Sequence, residues 1–129
     1  MENPKEFKYS KEHEWVKVDG DIGTVGITDF AQKQLTDIVF VELPEKGKKA
    51  EKSKQLAVVE SVKSVSDVFA PASGEVVEAN EELASTPETV NKDPYGKGWI
   101  AKIKLSDKSE LEGLMSAEEY GEFIKKEGH

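Results

Sequence analysis

Residues 57–70 read Ala57-Val58-Val59-Glu60-Ser61-Val62-Lys63-Ser64-Val65-Ser66-Asp67-Val68-Phe69-Ala70. Folded between Lys63 and Ser64, the two arms match. Val62 meets Val65, Ser61 meets Ser66, Glu60 meets Asp67, Val59 meets Val68, Val58 meets Phe69 and Ala57 meets Ala70. Alternating β-branched residues that pair across a centre predict a hairpin with Lys63-Ser64 at its tip. Two features of that hairpin run against local preference. A two-residue turn favours Asn-Gly or another glycine-containing tip, because it needs positive φ. Glu60 opposite Asp67 also sets like charges against each other, which is unfavourable. A place where a sequence contradicts its own local rules is a candidate functional site. Here the tip carries a lysine among compact neighbours, which leaves its ammonium open to a modifying enzyme. The competing reading is a solvated surface lysine, since all 18 basic residues are Lys and most must be surface charges.

The surrounding chain reads as short strands. Trp15 to Val18 and Ile22 to Ile27 flank Asp19-Gly20, a hairpin signal. Thr28 is placed to cap a short helix through Leu35. Ile38 to Leu43 is β-rich and ends at Pro44, and Ile38-Val39-Phe40-Val41 is an apolar run suited to a core. Residues 45–54 are polar and read as an exposed loop. Pro71-Ala72-Ser73-Gly74 is a turn, followed by a strand over 75–79, a helical turn opened by Asn80, and a loop over 85–98 with one helical turn. Trp99 to Leu105 alternates as a half-buried strand. Ser116-Ala117-Glu118-Glu119 fits a capping box; Tyr120, Phe123 and Ile124 share a helical face, and Gly128 would end that helix. The residues predict a compact β-sandwich or flattened barrel with one small internal helix and one C-terminal helix.

Composition restricts the chemistry. The chain has 129 residues, one domain's worth, with a core over about 7–106 and a C-terminal helical segment over about 107–128. It has no Cys, which excludes disulfides, thiolate catalysis and zinc–sulfur sites. The only histidines are His13 and His129, so side-chain catalysis has a thin inventory. His13 stands between Glu12 and Glu14 and could serve as a general base, although a lone His without a nucleophile motif is more often a packing residue. There is no metal-ligand motif and no pyrophosphate loop. The net charge is −8, with −7 of it in residues 64–129 and no Arg anywhere, which argues against nucleic acid. An acidic face could dock a basic partner, but solubility explains it as well. No run approaches the roughly 20 apolar residues of a membrane helix. The Met1-Glu2-Asn3-Pro4 start lacks the blocks of a signal peptide, so a bacterial cytoplasmic location is expected, ahead of a mitochondrial matrix one.

The residues resemble the H proteins of the glycine cleavage system. Glu60-Ser61-Val62-Lys63-Ser64 is followed by Ala70-Pro71-Ala72-Ser73-Gly74-Glu75-Val76 and Asn80. Upstream stand His13-Glu14-Trp15-Val16, Val25-Gly26-Ile27-Thr28-Asp29-Phe30-Ala31-Gln32 and Asp37-Ile38-Val39-Phe40-Val41-Glu42-Leu43-Pro44. Downstream stand Asn91-Lys92-Asp93-Pro94-Tyr95-Gly96, Gly98-Trp99 and Leu114-Met115-Ser116-Ala117-Glu118-Glu119-Tyr120. The ordered set covers nearly the whole chain. Thr36 departs from it, standing where many members have Gly, and residues 48–54 are more charged than usual.

The resemblance implies a mainly β fold, a hybrid barrel-sandwich of two antiparallel sheets with a lysine on a hairpin. It implies that Lys63 carries lipoic acid in amide linkage, as N6-lipoyllysine, and that Glu14 and Asp67 line a cleft for the loaded arm. The protein would then be a non-catalytic carrier. It would shuttle the aminomethyl group of glycine from glycine decarboxylase (P protein) to the aminomethyltransferase (T protein), and dihydrolipoamide dehydrogenase (L protein) would reoxidise it. Lipoate-attaching enzymes are further implied partners, and a monomer is expected. A lipoyl relay that donates lipoate to other enzymes would use the same Lys63. Two readings of other classes are a small enzyme working through His13 and a plain interaction module.

Overall fold

The computed structural model describes residues 3–127. The expected helix stop at Gly128, His129 and the first two residues of the N-terminal stretch lie outside the described residues. Among the described residues nine strands form two antiparallel sheets. Strands β1 (Lys8–Tyr9), β2 (Glu14–Asp19), β3 (Ile22–Ile27), β9 (Ala101–Leu105), β8 (Gly74–Ala79) and β5 (Lys49–Ala50) make the larger sheet, in that spatial order. Strands β4 (Ile38–Glu42), β6 (Gln55–Ser61) and β7 (Val65–Phe69) make the smaller one. Between the sheets lies an aliphatic core that includes Val16, Val25, Val41, Leu56, Val59, Val68, Val76, Ile100 and Ile103.

The β2–β3 hairpin forms as its Asp-Gly signal predicts, with Gly20 at φ 64° in the turn. Inside it Trp15 pairs with Gly26. A Cβ at Gly26 would stand 2.6 Å from the indole ring, so only glycine lets that ring lie flat on the strand. The indole N–H donates to the carbonyls of Ile27 and Pro94, each at 3.0 Å, and so ties the 85–98 loop to the sheet.

Helix α1 (Asp29–Leu35) starts where expected. The Thr28 hydroxyl accepts from Ala31 N at 3.2 Å. It ends at Thr36, whose φ of 66° and ψ of −148° belong to a region that almost only glycine enters. The departure seen in the sequence therefore falls on a strained backbone position. Two short helices, α2 (Glu82–Ser85) and α3 (Thr89–Lys92), fill the stretch before β9. Asn80 does not cap α2; its amide donates to the carbonyls of Lys97 and Trp99 instead. The polar stretch 45–54 is not all loop, because β5 pairs with β8 and buries Ala50. Burial of Ile100 likewise breaks the simple alternation expected before β9.

The C-terminal helix α4 (Ala117–Glu127) shows the predicted capping box. Glu119 N donates to Ser116 Oγ at 3.2 Å, and Ser116 N to Glu119 Oε1 at 2.9 Å. Its Tyr120 is fully buried in a second, aromatic core with Phe7, Tyr9 and Trp15, stacked on Tyr9 at 4.8 Å between ring centroids. A 3₁₀ turn over Lys108–Gly113 connects β9 to this helix.

Candidate functional site

Lys63 sits on the β6–β7 hairpin, at the end of the smaller sheet. The register differs from the sequence mirror. Glu60 pairs with Val65, Val59 with Ser66, Val58 with Asp67 and Ala57 with Val68. Each partner is displaced by two residues, and the two-residue tip is Val62-Lys63 rather than Lys63-Ser64. An even slip keeps every side chain on its face, so Val59 and Val68 remain buried either way. The mirror could not distinguish the two registers; the turn could. Ser61 N donates to Ser64 O at 2.8 Å, and Ser61 Oγ accepts from Lys63 N at 3.1 Å and Ser64 N at 3.0 Å. That hydroxyl satisfies the turn's donors, and no turn residue adopts positive φ. The objection to a tip without glycine disappears for that reason. The expected direct pairing of Glu60 with Asp67 is absent too. Glu60 lies between Phe40 and Val65, and Asp67 accepts from Gln55 Nε2 at 2.8 Å.

The Lys63 side chain is exposed and makes no ion pair among the described residues. Its Nζ has one long contact, 3.5 Å, to the Gln34 carbonyl in the last turn of α1. Gln34 borders a cavity of about 300 Å³ that is also lined by Phe30, Leu35, His13, Ser66, Glu12 and Glu127. A second cavity, about 400 Å³, lies further along β7, against Phe69 and Ala70. Glu12 lines both cavities, and Glu14 lines the second alone.

Glu14 is 1% exposed. Ser10 Oγ donates to its Oε1 at 2.5 Å, and Phe69 N donates to its Oε2 at 3.0 Å. Ser10 Oγ in turn accepts from Glu14 N at 3.0 Å. The Phe69 contact satisfies an N–H on β7, one of the two edge strands of the smaller sheet. Burial pushes the Glu14 carboxyl up to about 7, against the opposing pull of those two hydrogen bonds. Asp67 is exposed on β7 and lies outside both cavities. So Glu14 and Asp67 are linked through β7, two residues apart at Phe69, but do not touch each other or Lys63.

His13 is a packing residue in this structure. Its Nδ1 is 2.8 Å from Tyr120 Oη, its Nε2 is 3.2 Å from Glu127, and its ring lies 4.8 Å from that of Phe30. Tyr120 Oη also meets Thr28 Oγ1 at 2.7 Å, so one phenol joins α4 to the cap of α1. Burial lowers the imidazole's pKa, with Glu127 and Glu12 acting in the opposite direction. The hydroxyl beside the ring, Tyr120 Oη, is also held by Thr28, so the contact joins elements of the fold. Sequence reasoning missed Ser10, Gln34 and Ser61. Of these, Ser61 carried a signal, since Ser favours turns through its hydroxyl.

A small two-sheet β domain that presents an exposed lysine on a hairpin tip, with cavities beside it, has the form of a carrier domain. The family profile described as Glycine cleavage H-protein matches residues 7–127, and the chain belongs to that family. It is 56% identical over 125 residues to the glycine cleavage system H protein of Carboxydothermus hydrogenoformans, covering 97% of this chain and 96% of that one. It is 58% identical over 125 residues to that of Halothermothrix orenii, covering 97% and 98%. The crystal structure of an H protein from Mycobacterium marinum superposes with a TM-score of 0.85 at 36% identity, covering 98% of this chain and all of that one. The fold is thus the expected mainly β arrangement of two antiparallel sheets, and the protein is a carrier component of the glycine cleavage system, not an enzyme. Among the described residues no helix is long and apolar enough to cross a membrane.

Proposed function

We propose that Lys63 takes lipoic acid in amide linkage, and that this lipoyl-lysine shuttles the aminomethyl unit of glycine between glycine decarboxylase and the aminomethyltransferase. Dihydrolipoamide dehydrogenase and a lipoate-attaching enzyme complete the set of partners, and the chain works as a monomer in the bacterial cytoplasm. The observation that carries this reading is the open tip. Lys63 is the lysine on the β6–β7 turn and gives up no ion pair among the described residues when amidation removes its charge. The neighbouring residues fit an arm of that kind. Phe30 and Leu35 supply apolar wall beside the tip, and Glu12 and Glu127 supply carboxylates at the same cavity.

When attached, the lipoyl group supplies the disulfide sulfurs that this cysteine-free chain lacks. The protein's own residues present and shelter it. Ser61 holds the turn that projects Lys63. Glu14 offers a buried carboxyl that is poised near neutrality and can ionise toward a cationic amine. Asp67 adds an exposed carboxylate on the same strand. A charge-assisted hydrogen bond to such a carboxylate is worth about 1.5–3 kcal/mol where partly desolvated, enough to favour the docked form at least tenfold.

The test is intact mass and peptide mapping of protein produced with lipoate and an attaching enzyme, followed by reconstituted glycine cleavage. Wild type acquires one lipoyl group on Lys63. Lys63→Arg stays folded, within about 0.5 kcal/mol of wild type, and remains unmodified and inactive. Glycine cleavage by that variant would overturn the assignment.

A further inference from the structure

Exposed large apolar side chains cluster at one place on this molecule. Among the described residues there are five, and four of them, Val39 (52%), Phe40 (46%), Val62 (69%) and Val65 (65%), surround the hairpin tip. The fifth, Val18, is 37% exposed and lies on the other sheet. The backbone brings the four together. Val62 N donates to Asp37 O at 3.0 Å, Ile38 pairs with Ser61, and Phe40, Glu60 and Val65 form one row across the three strands.

This exposure is built in by the strand. Ile38 and Val41 are both buried, yet they stand three residues apart, which a strand of period two cannot bury on one face. A β-bulge between Ile38 and Phe40 absorbs the extra residue and leaves Val39 and Phe40 outside. The run Ile38-Val39-Phe40-Val41 is therefore only half core. A bulge that turns two large apolar residues toward water, next to the lysine, is an arrangement that suits a partner surface.

We infer that Val39, Phe40, Val62 and Val65 form the docking surface for the enzyme that acylates Lys63. This rests on the reading of Lys63 as the lipoylated residue. The acylation itself selects this occupant. The amine must attack the carbonyl carbon of an activated acyl donor; the new C–N bond forms, the leaving group departs with its bonding pair, and the nitrogen loses a proton to a base. An ammonium has no lone pair for that attack. Apolar surfaces that close around the tip strip water from the nitrogen and favour its neutral form. Once the amide exists there is no charge left to suppress, so the later partners have no such need. The collar also sets Lys63 apart from the other lysines of the 18, since four of the five exposed large apolar side chains among the described residues lie about its hairpin.

The test uses the unmodified chain, a purified lipoate-attaching enzyme, ATP and lipoate, with modification followed by intact mass. Phe40→Thr and Val65→Thr place a polar β-branched residue, which strands accept, at exposed strand positions, and Val62→Ser perturbs the turn. Circular dichroism checks each fold. The expected result is a KM for the protein substrate at least tenfold higher in the two strand variants, with the mapped site still Lys63. KM within twofold of wild type would overturn the inference. So would altered self-association in light scattering, or a raised decarboxylase KM with the pre-lipoylated variants, when attachment is unchanged. Modification of wild type at another lysine would instead overturn the Lys63 assignment, so the two failures are distinguishable.

Discussion

Glu14→Gln should stabilise this protein above neutral pH and barely change it in acid. Glu14 is buried with its carboxyl raised from 4.5 to about 7. A carboxyl whose folded-state value is raised contributes stability that is fully present below the unfolded value and is lost as pH rises through the folded one. The window is therefore about pH 4.5 to 7. A shift of that size at 1.36 kcal/mol per pKa unit makes the ionised side chain cost about 3 kcal/mol at pH 8. Glutamine has the same shape and removes the charge. Its oxygen can accept from Phe69 N and its NH₂ can donate to Ser10 Oγ, while the Ser10 hydroxyl hydrogen, which loses the Glu14 acceptor, turns toward the open cavity that Ser10 lines. Urea or thermal denaturation from pH 5 to 8.5 measures the effect. The variant should gain less than about 1 kcal/mol at pH 5 and about 3 kcal/mol at pH 8, or roughly 10 °C in Tm for a domain of this size. Parallel stability curves for wild type and variant would refute the argument, because they would mean that the carboxyl does not titrate in this range. A carboxylate retained at such a cost is what a functional site looks like.

Glu14→Gln combined with Asp67→Asn should leave lipoylation intact but shorten the lifetime of the aminomethyl-loaded protein, isolated from its partner enzymes, by about tenfold if one charge-assisted bond is lost; equal lifetimes would mean these carboxylates do not shelter the load. Thr36→Gly should raise stability by about 1 kcal/mol, since the strain at φ 66°, ψ −148° exceeds the entropy that glycine adds to the unfolded chain; a drop in Tm would reject the strain. Tyr120→Phe removes the hydroxyl that meets both Thr28 and His13, and should cost about 1–3 kcal/mol; a change below 0.5 kcal/mol would show that this contact does not hold α4. Ser61→Ala strips the turn of the acceptor shared by Lys63 N and Ser64 N, and should cost about 1 kcal/mol and slow attachment at Lys63; unaltered attachment would show that the turn holds its shape without it.

Much of this protein is legible from sequence because its signals are local. The Asp19-Gly20 turn, the Thr28 cap, the Ser116–Glu119 capping box and the alternating arms around Lys63 each depend on residues within a few positions of one another. An ordered set of such stretches was enough to indicate the family and the lysine. What sequence could not supply depends on contacts between distant segments. The mirror around Lys63 fits two registers equally, and only the Ser61 hydroxyl together with pairing to β4 selects one. The run from Ile38 to Val41 is uniformly apolar, so nothing in its composition says that a bulge will hold two of its members out in water. Nothing in the residues around Glu14 says that it is buried. Its burial, its bonds to Ser10 and Phe69, and its raised pKa arise only when β7 closes against the segment before β2, 55 residues away along the chain. Tertiary structure decided those features because desolvation and edge-strand hydrogen bonding act between surfaces that chain order does not bring together.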